Sequence, residues 1–134
     1  MSNLHIVVNK KWFDLIKAGV KREEYREIKP HWVGRLMMNG HMTNEDAPEW
    51  VAEMLLGGAN EWDDCCYQFR RFKTVTFVCG MPKKGTQDAA DKTLVFRFIE
   101  TEVGHAKEGI GKELVGDQLV FVIKFEDFEP SISD

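Results

Sequence analysis

Gly19-Val20-Lys21-Arg22-Glu23-Glu24-Tyr25-Arg26 is where this chain changes from one kind of structure to another. Ahead of it, Trp12, Phe13 and Ile16 recur at helical spacing behind Asn9, whose side chain suits a helix start. Gly19 then stands where such a helix stops. Beyond it, residues 20–28 read as a strand, although most of them are charged. Strand side chains alternate, so Glu24, Arg26 and Ile28 share one face, while Glu23, Tyr25 and Glu27 share the other.

The spacing G-x-K-x-x-E-x-R collects an amine, a carboxylate and a guanidinium within eight residues. Arginine offers a planar donor fork and lysine a movable charge, with a carboxylate between them to orient either cation. Such a set suits a phosphate, a carboxylate or a polar base. Lys21 and Arg26 are expected on the wall of one solvent-accessible cleft, with Glu24 within hydrogen-bond reach of one of them. An exposed Lys21 would add little to stability. The plainer alternative is a surface strand laced with ion pairs of small individual worth.

Working outward, residues 4–8 form a β-branched apolar run and read as the first strand. Pro30 opens a second short helix, with Trp32/Leu36 and Val33/Met37 as i,i+4 pairs. Asp46-x-x-Glu49 starts a third over 47–56, striped by Trp50/Met54 and Val51/Leu55 and ended by Gly57-Gly58. Trp62, Cys66, Phe69 and Phe72 suggest a partly helical segment over 59–72. Residues 74–79 and 93–102 alternate as strands, and 119–125 reads as the last strand, its apolar run 119–123 suiting full burial. Between them, 80–92 and 103–117 read as loops, and 130–134 as a frayed tail. No linker or internal repeat appears, so one α+β domain is expected over 1–134: a small mixed β-barrel, short helices flanking it, and a helical insertion at about 39–70 lying outside.

In order, the strand, the Trp12-Phe13 helix, Gly19/Lys21/Glu24/Arg26, Pro30-His31-Trp32 and the terminal Val120-Phe121-Val122-Ile123-Lys124-Phe125 run resemble the ASCH (activating signal cointegrator homology) family, and its small phage and bacterial members in particular. The likeness covers most of the chain outside 39–70 and implies a PUA-like barrel. It also implies RNA or nucleotide recognition, ribonuclease action, or hydrolysis of the amide of an acetylated cytidine. For recognition, the candidates are Lys21, Glu24 and Arg26, with Trp32, next to His31 and just past the motif, as the tryptophan suited to stack on a base. In the amidohydrolase branch a lysine, a threonine three residues later and a glutamate from a later loop do the chemistry. Lys21 matches the first, Glu24 occupies the threonine position, and Glu108 in Ala106-Lys107-Glu108-Gly109 offers the third, with Glu102 and Glu113 competing. If this is an enzyme, Lys21, Glu24 and Glu108 are its catalytic candidates.

Composition narrows the partners. The net charge of −4 hides blocks of alternating sign: +4 over 1–42, −7 over 43–66, +4 over 67–92 and −5 over 93–134. That is no broad footprint for duplex nucleic acid, but a short RNA or a nucleotide fits a local basic cleft. The acid-rich insertion is a candidate surface for a protein partner. Cys65, Cys66 and Cys79 are odd in number, two of them adjacent, and read as reduced thiols. Scattered His5, His31, His41 and His105 give no zinc spacing, so no metal or cofactor is expected. No run approaches the roughly 20 apolar residues of a membrane span, and the opening residues lack a signal-peptide pattern. A cytoplasmic protein is expected. Residues 104–113 resemble a phosphate loop but break the Walker spacing, since Ala106 replaces the first glycine and Glu113 follows Lys112. Lys83-Lys84 is a further phosphate contact or a solvated pair.

Overall fold

The computed structural model describes residues 2–39, 47–57, 67–80 and 85–128. Asp46, Trp62, Cys65, Cys66, Lys83, Lys84 and the 130–134 tail, each read above, lie outside the described residues. Element order is β1 (Asn3–Val8), α1 (Lys10–Lys17), β2 (Glu23–Glu27), α2 (Pro30–Leu36), β3 (Met37–Asn39), α3 (Ala47–Leu56), β4 (Tyr67–Phe69), β5 (Thr74–Cys79), α4 (Gln87–Asp91), β6 (Thr93–Gly104), α5 (Lys112–Val115) and β7 (Val120–Glu126).

The architecture is mixed α+β. A five-stranded sheet runs β1-β5-β6-β7-β2, and β3 pairs with β4 in a second, two-stranded sheet. β1 lies parallel to β5, Asn3 opposite Thr74 through Val8 opposite Cys79, while β5 and β6 are antiparallel. The expected barrel closure does not form among the described strands. β1 and β2 end the row and do not pair, so the sheet is open. Alternating sequence assigns faces to strands; it does not say which edges meet.

Two compact units emerge, each assembled from separated stretches, so no single cut in the sequence divides them. The first comprises 1–23, 71–100 and 124–134. Its β1 alternates, with Leu4, Ile6 and Val8 buried, and α1, which packs on β5, buries Trp12, Phe13 and Ile16. Phe77, Phe96 and Phe125 form a ring cluster with centroids 4.7–6.0 Å apart. The Asn9 side chain accepts from the Trp12 N–H at 3.1 Å, as the sequence predicts for a cap. Asn9→Ala is therefore expected to cost about 1 kcal/mol in urea unfolding.

The second unit comprises 24–70 and 101–123. Val120 to Ile123 are buried at every position, which is why that run does not alternate. The helix over 47–56 forms where expected: α3 packs on α2, and its Val51 and Leu55 are buried. Residues 67–69, read as partly helical, are a strand instead. β4 pairs with β3, and the Arg70 N–H bonds the Leu36 carbonyl at 2.8 Å. The stretches read as plain loops also carry structure. α4 forms behind a Thr86 cap, β6 extends to Gly104, and α5 occupies 112–115.

Candidate functional site

The first half of the 19–26 motif builds the first unit. Gly19 adopts φ 84°, and its N–H bonds the Ile16 carbonyl at 3.2 Å while the Val20 N–H bonds that of Leu15 at 3.0 Å. This double closure ends α1 and needs the left-handed conformation glycine tolerates. The Lys21 N–H also bonds the Leu15 carbonyl, at 3.1 Å, holding the chain against the helix end. Lys21 consequently packs inward. It is 1% exposed, and its ammonium lies 5.0 Å from the centre of the Trp12 ring. The expected solvent-facing amine is thus corrected: this lysine is part of a packed interior. Arg22 is equally structural, donating to the Ile16 carbonyl and to Asp127, both at 2.9 Å, with its guanidinium 5.1 Å over Phe96.

The second half belongs to the second unit, where the alternation predicted for β2 holds. Glu24 and Arg26, on one face, meet: Arg26 Nη2 lies 3.2 Å from Glu24 Oε2. Glu24 is 3% exposed, and its Oε1 accepts from the Tyr25 N–H at 3.1 Å. Arg26 Nη1 donates to the Tyr25 carbonyl at 3.3 Å. The guanidinium is thereby fixed 5.1 Å over the ring of Trp32, a half-buried residue of α2. Of the residues singled out from sequence, Glu24, Arg26 and Trp32 are brought together.

One member of this group escaped the sequence reading. Arg35 sits 4.5 Å over the same indole, and burial, then the neighbouring charge of Arg26, push its pKa down. The clue was available, because Arg35 follows Trp32 by three residues on a helix and such positions share a face. His31 meets Trp32 edge-on at 5.5 Å.

On the opposite face of β2, Tyr25 packs with Ala106, Val120 and Val122. Its hydroxyl accepts from the Lys107 N–H at 3.1 Å. Gly111 crosses so close that a Cβ there would lie 2.4 Å from the Tyr25 ring. Tyr25 thus fastens the 105–116 loop from beneath.

The later glutamates do not assemble an acid–base set with Glu24 through any contact described. Glu108 is 87% exposed at its side chain and faces Lys112 at 3.9 Å. Glu113 accepts from the Gly109 N–H at 2.7 Å, a bond within its own loop. Glu102 is half-buried on β6.

A separate groove of about 650 Å³ lies in the first unit, lined by Lys10, Asp14, Cys79, Asp88 and Lys92 among others. Its charges are matched internally: Lys10 with Asp14 at 2.7 Å and Lys92 with Asp88 at 3.2 Å. The Asp14 hydrogen bond holds the Lys10 ammonium above its ordinary pKa. Among the described residues no three His, Cys, Asp or Glu side chains cluster as metal ligands, and no helix is long and apolar enough to cross a membrane. No family model, curated protein or solved structure matches this chain.

Proposed function

We propose that this protein is a cytoplasmic recognition module for a short single-stranded RNA or a nucleotide, of ASCH type on a PUA-like fold whose barrel is left open. The observation that carries it is the Arg26 guanidinium held over Trp32 by the buried carboxylate of Glu24. A guanidinium fixed over an indole offers paired donors to phosphate or to a base edge, and the outer side of its plane is a surface on which a base can stack. A buried carboxylate that is itself an acceptor keeps the arginine in one orientation without competing for the stacking face. Lys21 enters this reading through the family resemblance alone, since its amine packs on Trp12.

The hydrolase alternative is weakened at Glu24. The amidohydrolase branch that the resemblance implies uses a threonine three residues after the lysine, and here that position holds a carboxylate ion-paired with arginine. The protein-interaction alternative keeps the exposed Glu49 and Glu53 of α3 as its surface.

The test is fluorescence anisotropy with a short, labelled, 5′-hydroxyl single-stranded RNA across a salt series. Binding is expected, with a shallow salt slope reflecting about two to four released counterions. Trp32→Ala should weaken it by about 1–3 kcal/mol, the scale of one lost stacking contact, because the Arg26 guanidinium loses the platform that holds it. Arg26→Lys is preferable to Arg26→Ala, because it keeps a cation beside buried Glu24 and removes only the fork. Absence of binding at low salt, or equal binding by Trp32→Ala, defeats the proposal. Turnover of N4-acetylcytidine would install the hydrolase reading in its place, and a stable protein partner dependent on Glu49 and Glu53 the interaction reading.

A further inference from the structure

The groove of the first unit lies at the carboxyl ends of two parallel strands, β1 and β5, where Val8 stands opposite Cys79. In open sheets with parallel strands, ligands are held at that end. The Gly80 N–H bonds the Val8 carbonyl at 3.2 Å and ties the two strand ends together. Phe13, buried, and Cys79, half-buried, give the groove its apolar surface. One side is α1, which contributes Lys10, Asp14 and Lys17, spaced four and three residues apart on one helical face. The other side is α4 and its cap, which contribute Asp88, Asp91 and Lys92.

The pairing described above covers four of these six charged residues, and it runs along each side. Lys10 meets Asp14 within α1, and Lys92 meets Asp88 within α4 and its cap. Among the described residues no ion pair crosses from α1 to α4. Lys17 and Asp91 are left over, neither with an ion-pair partner among the described residues. Asp91 accepts at 2.9 Å from the Gln87 side-chain amide, a neutral donor that leaves its charge in place. The α1 side therefore holds an excess cation and the α4 side an excess anion. A ligand of single charge is drawn to one side and repelled by the other, whereas one with opposite charges at its two ends satisfies both. A free amino acid carries both charges around one carbon. A short peptide separates them by roughly 3.3–3.6 Å for each residue of extended chain. The groove, about 650 Å³, has room for the longer molecule.

We propose that this groove binds a peptide of two or three residues with both termini free. Its carboxylate faces Lys17, its ammonium faces Asp91, and an apolar side chain rests against Phe13. The site uses none of the residues around Arg26 and stands or falls apart from RNA recognition.

The experiment is an NMR titration of the whole protein at low ionic strength with three probes: the dipeptide alanyl-phenylalanine, its N-acetyl form and its C-terminal amide. The free dipeptide should shift the amides of Cys79 and Gly80 and bind at least fivefold more tightly than either blocked form. Added salt should weaken it, since the charges that hold it are exposed. Lys17→Gln should lower the free dipeptide to the level of its amide, and Asp91→Asn to the level of its N-acetyl form. Both positions are exposed, so both variants should melt with wild type. Reversing the dipole is the stricter check. Lys17→Glu combined with Asp91→Lys should bind the free dipeptide more tightly than either change alone, because the ligand can turn round.

Equal binding of the three probes overturns the proposal. Unchanged affinity in Lys17→Gln and Asp91→Asn does so as well, and so does a titration that leaves Cys79 and Gly80 unshifted.

Discussion

Lys21→Ala is expected to destabilise the protein by about 3 kcal/mol, the usual scale for emptying a buried long side chain. The site is 1% exposed, and its ammonium lies against Trp12, itself buried, where a cation–π contact gains from the absence of water. Truncation removes the methylene stem and the cation together and leaves a void beside the indole. In thermal unfolding the loss should appear as a fall in Tm of roughly 10 °C for a chain of this size. Lys21→Met separates packing from charge: it fills most of the volume and should recover at least half of the loss, since volume-conserving swaps are tolerated best. A Lys21→Ala protein that melts with wild type would show the buried side chain to be dispensable for folding, and would return Lys21 to the candidates for direct chemistry.

Gly111→Ala is expected to cost about 2–3 kcal/mol, the upper range for forcing one extra methyl group into filled space. The added carbon would meet Tyr25 Cδ2 at 2.4 Å and Cε2 at 2.8 Å. The ring cannot simply retreat, for Ala106, Val120 and Val122 pack against it and its hydroxyl accepts from the Lys107 N–H. Either the ring or the loop must move. The amide of Lys107 should therefore exchange faster in the variant, which hydrogen exchange followed by NMR would read directly. Shrinking the obstacle gives the control. Tyr25→Leu should cost less in the Gly111→Ala background than in wild type, a coupling expected only if the two residues contest the same space. Additive losses would mean that the loop accommodates the methyl group elsewhere.

What the sequence made legible was local. Asn9 and Gly19 bracket α1 because capping chemistry is written in single residues, and the observed bonds at both ends are the ones those residues are suited to make. The alternation at Glu24 and Arg26 likewise places them on one face, where they meet. What depends on distant partners was not legible. β4 is three residues long and exists by pairing with β3, so its own aromatic spacing misleads. α4 is short and without a buried residue, carrying no apolar period to detect. Sheet closure is a matter of which edges meet, and alternation is silent on that. The burial of Lys21 follows from the helix-ending turn and the position of Trp12, so a charged residue type pointed the wrong way. Arg35 was missed for a different reason. The apolar i,i+4 pairs of α2 mark its buried face, and Arg35, charged and three residues after Trp32, is not among them.

The first unit draws on three stretches, the last beginning at residue 124, and its edge strand β1 lies alongside a strand 71 residues further on. That arrangement sets a timetable for synthesis. A ribosome adds about 5–20 residues per second, so β1 waits several seconds for β5 to be made, and longer to clear the exit tunnel. Through that interval Leu4, Ile6 and Val8 have no neighbouring strand. Phe77 and Phe96 wait in turn for Phe125. β1 therefore cannot pair until β5 has emerged, and an unpaired parallel strand of this kind is a natural client for a chaperone that holds nascent chains.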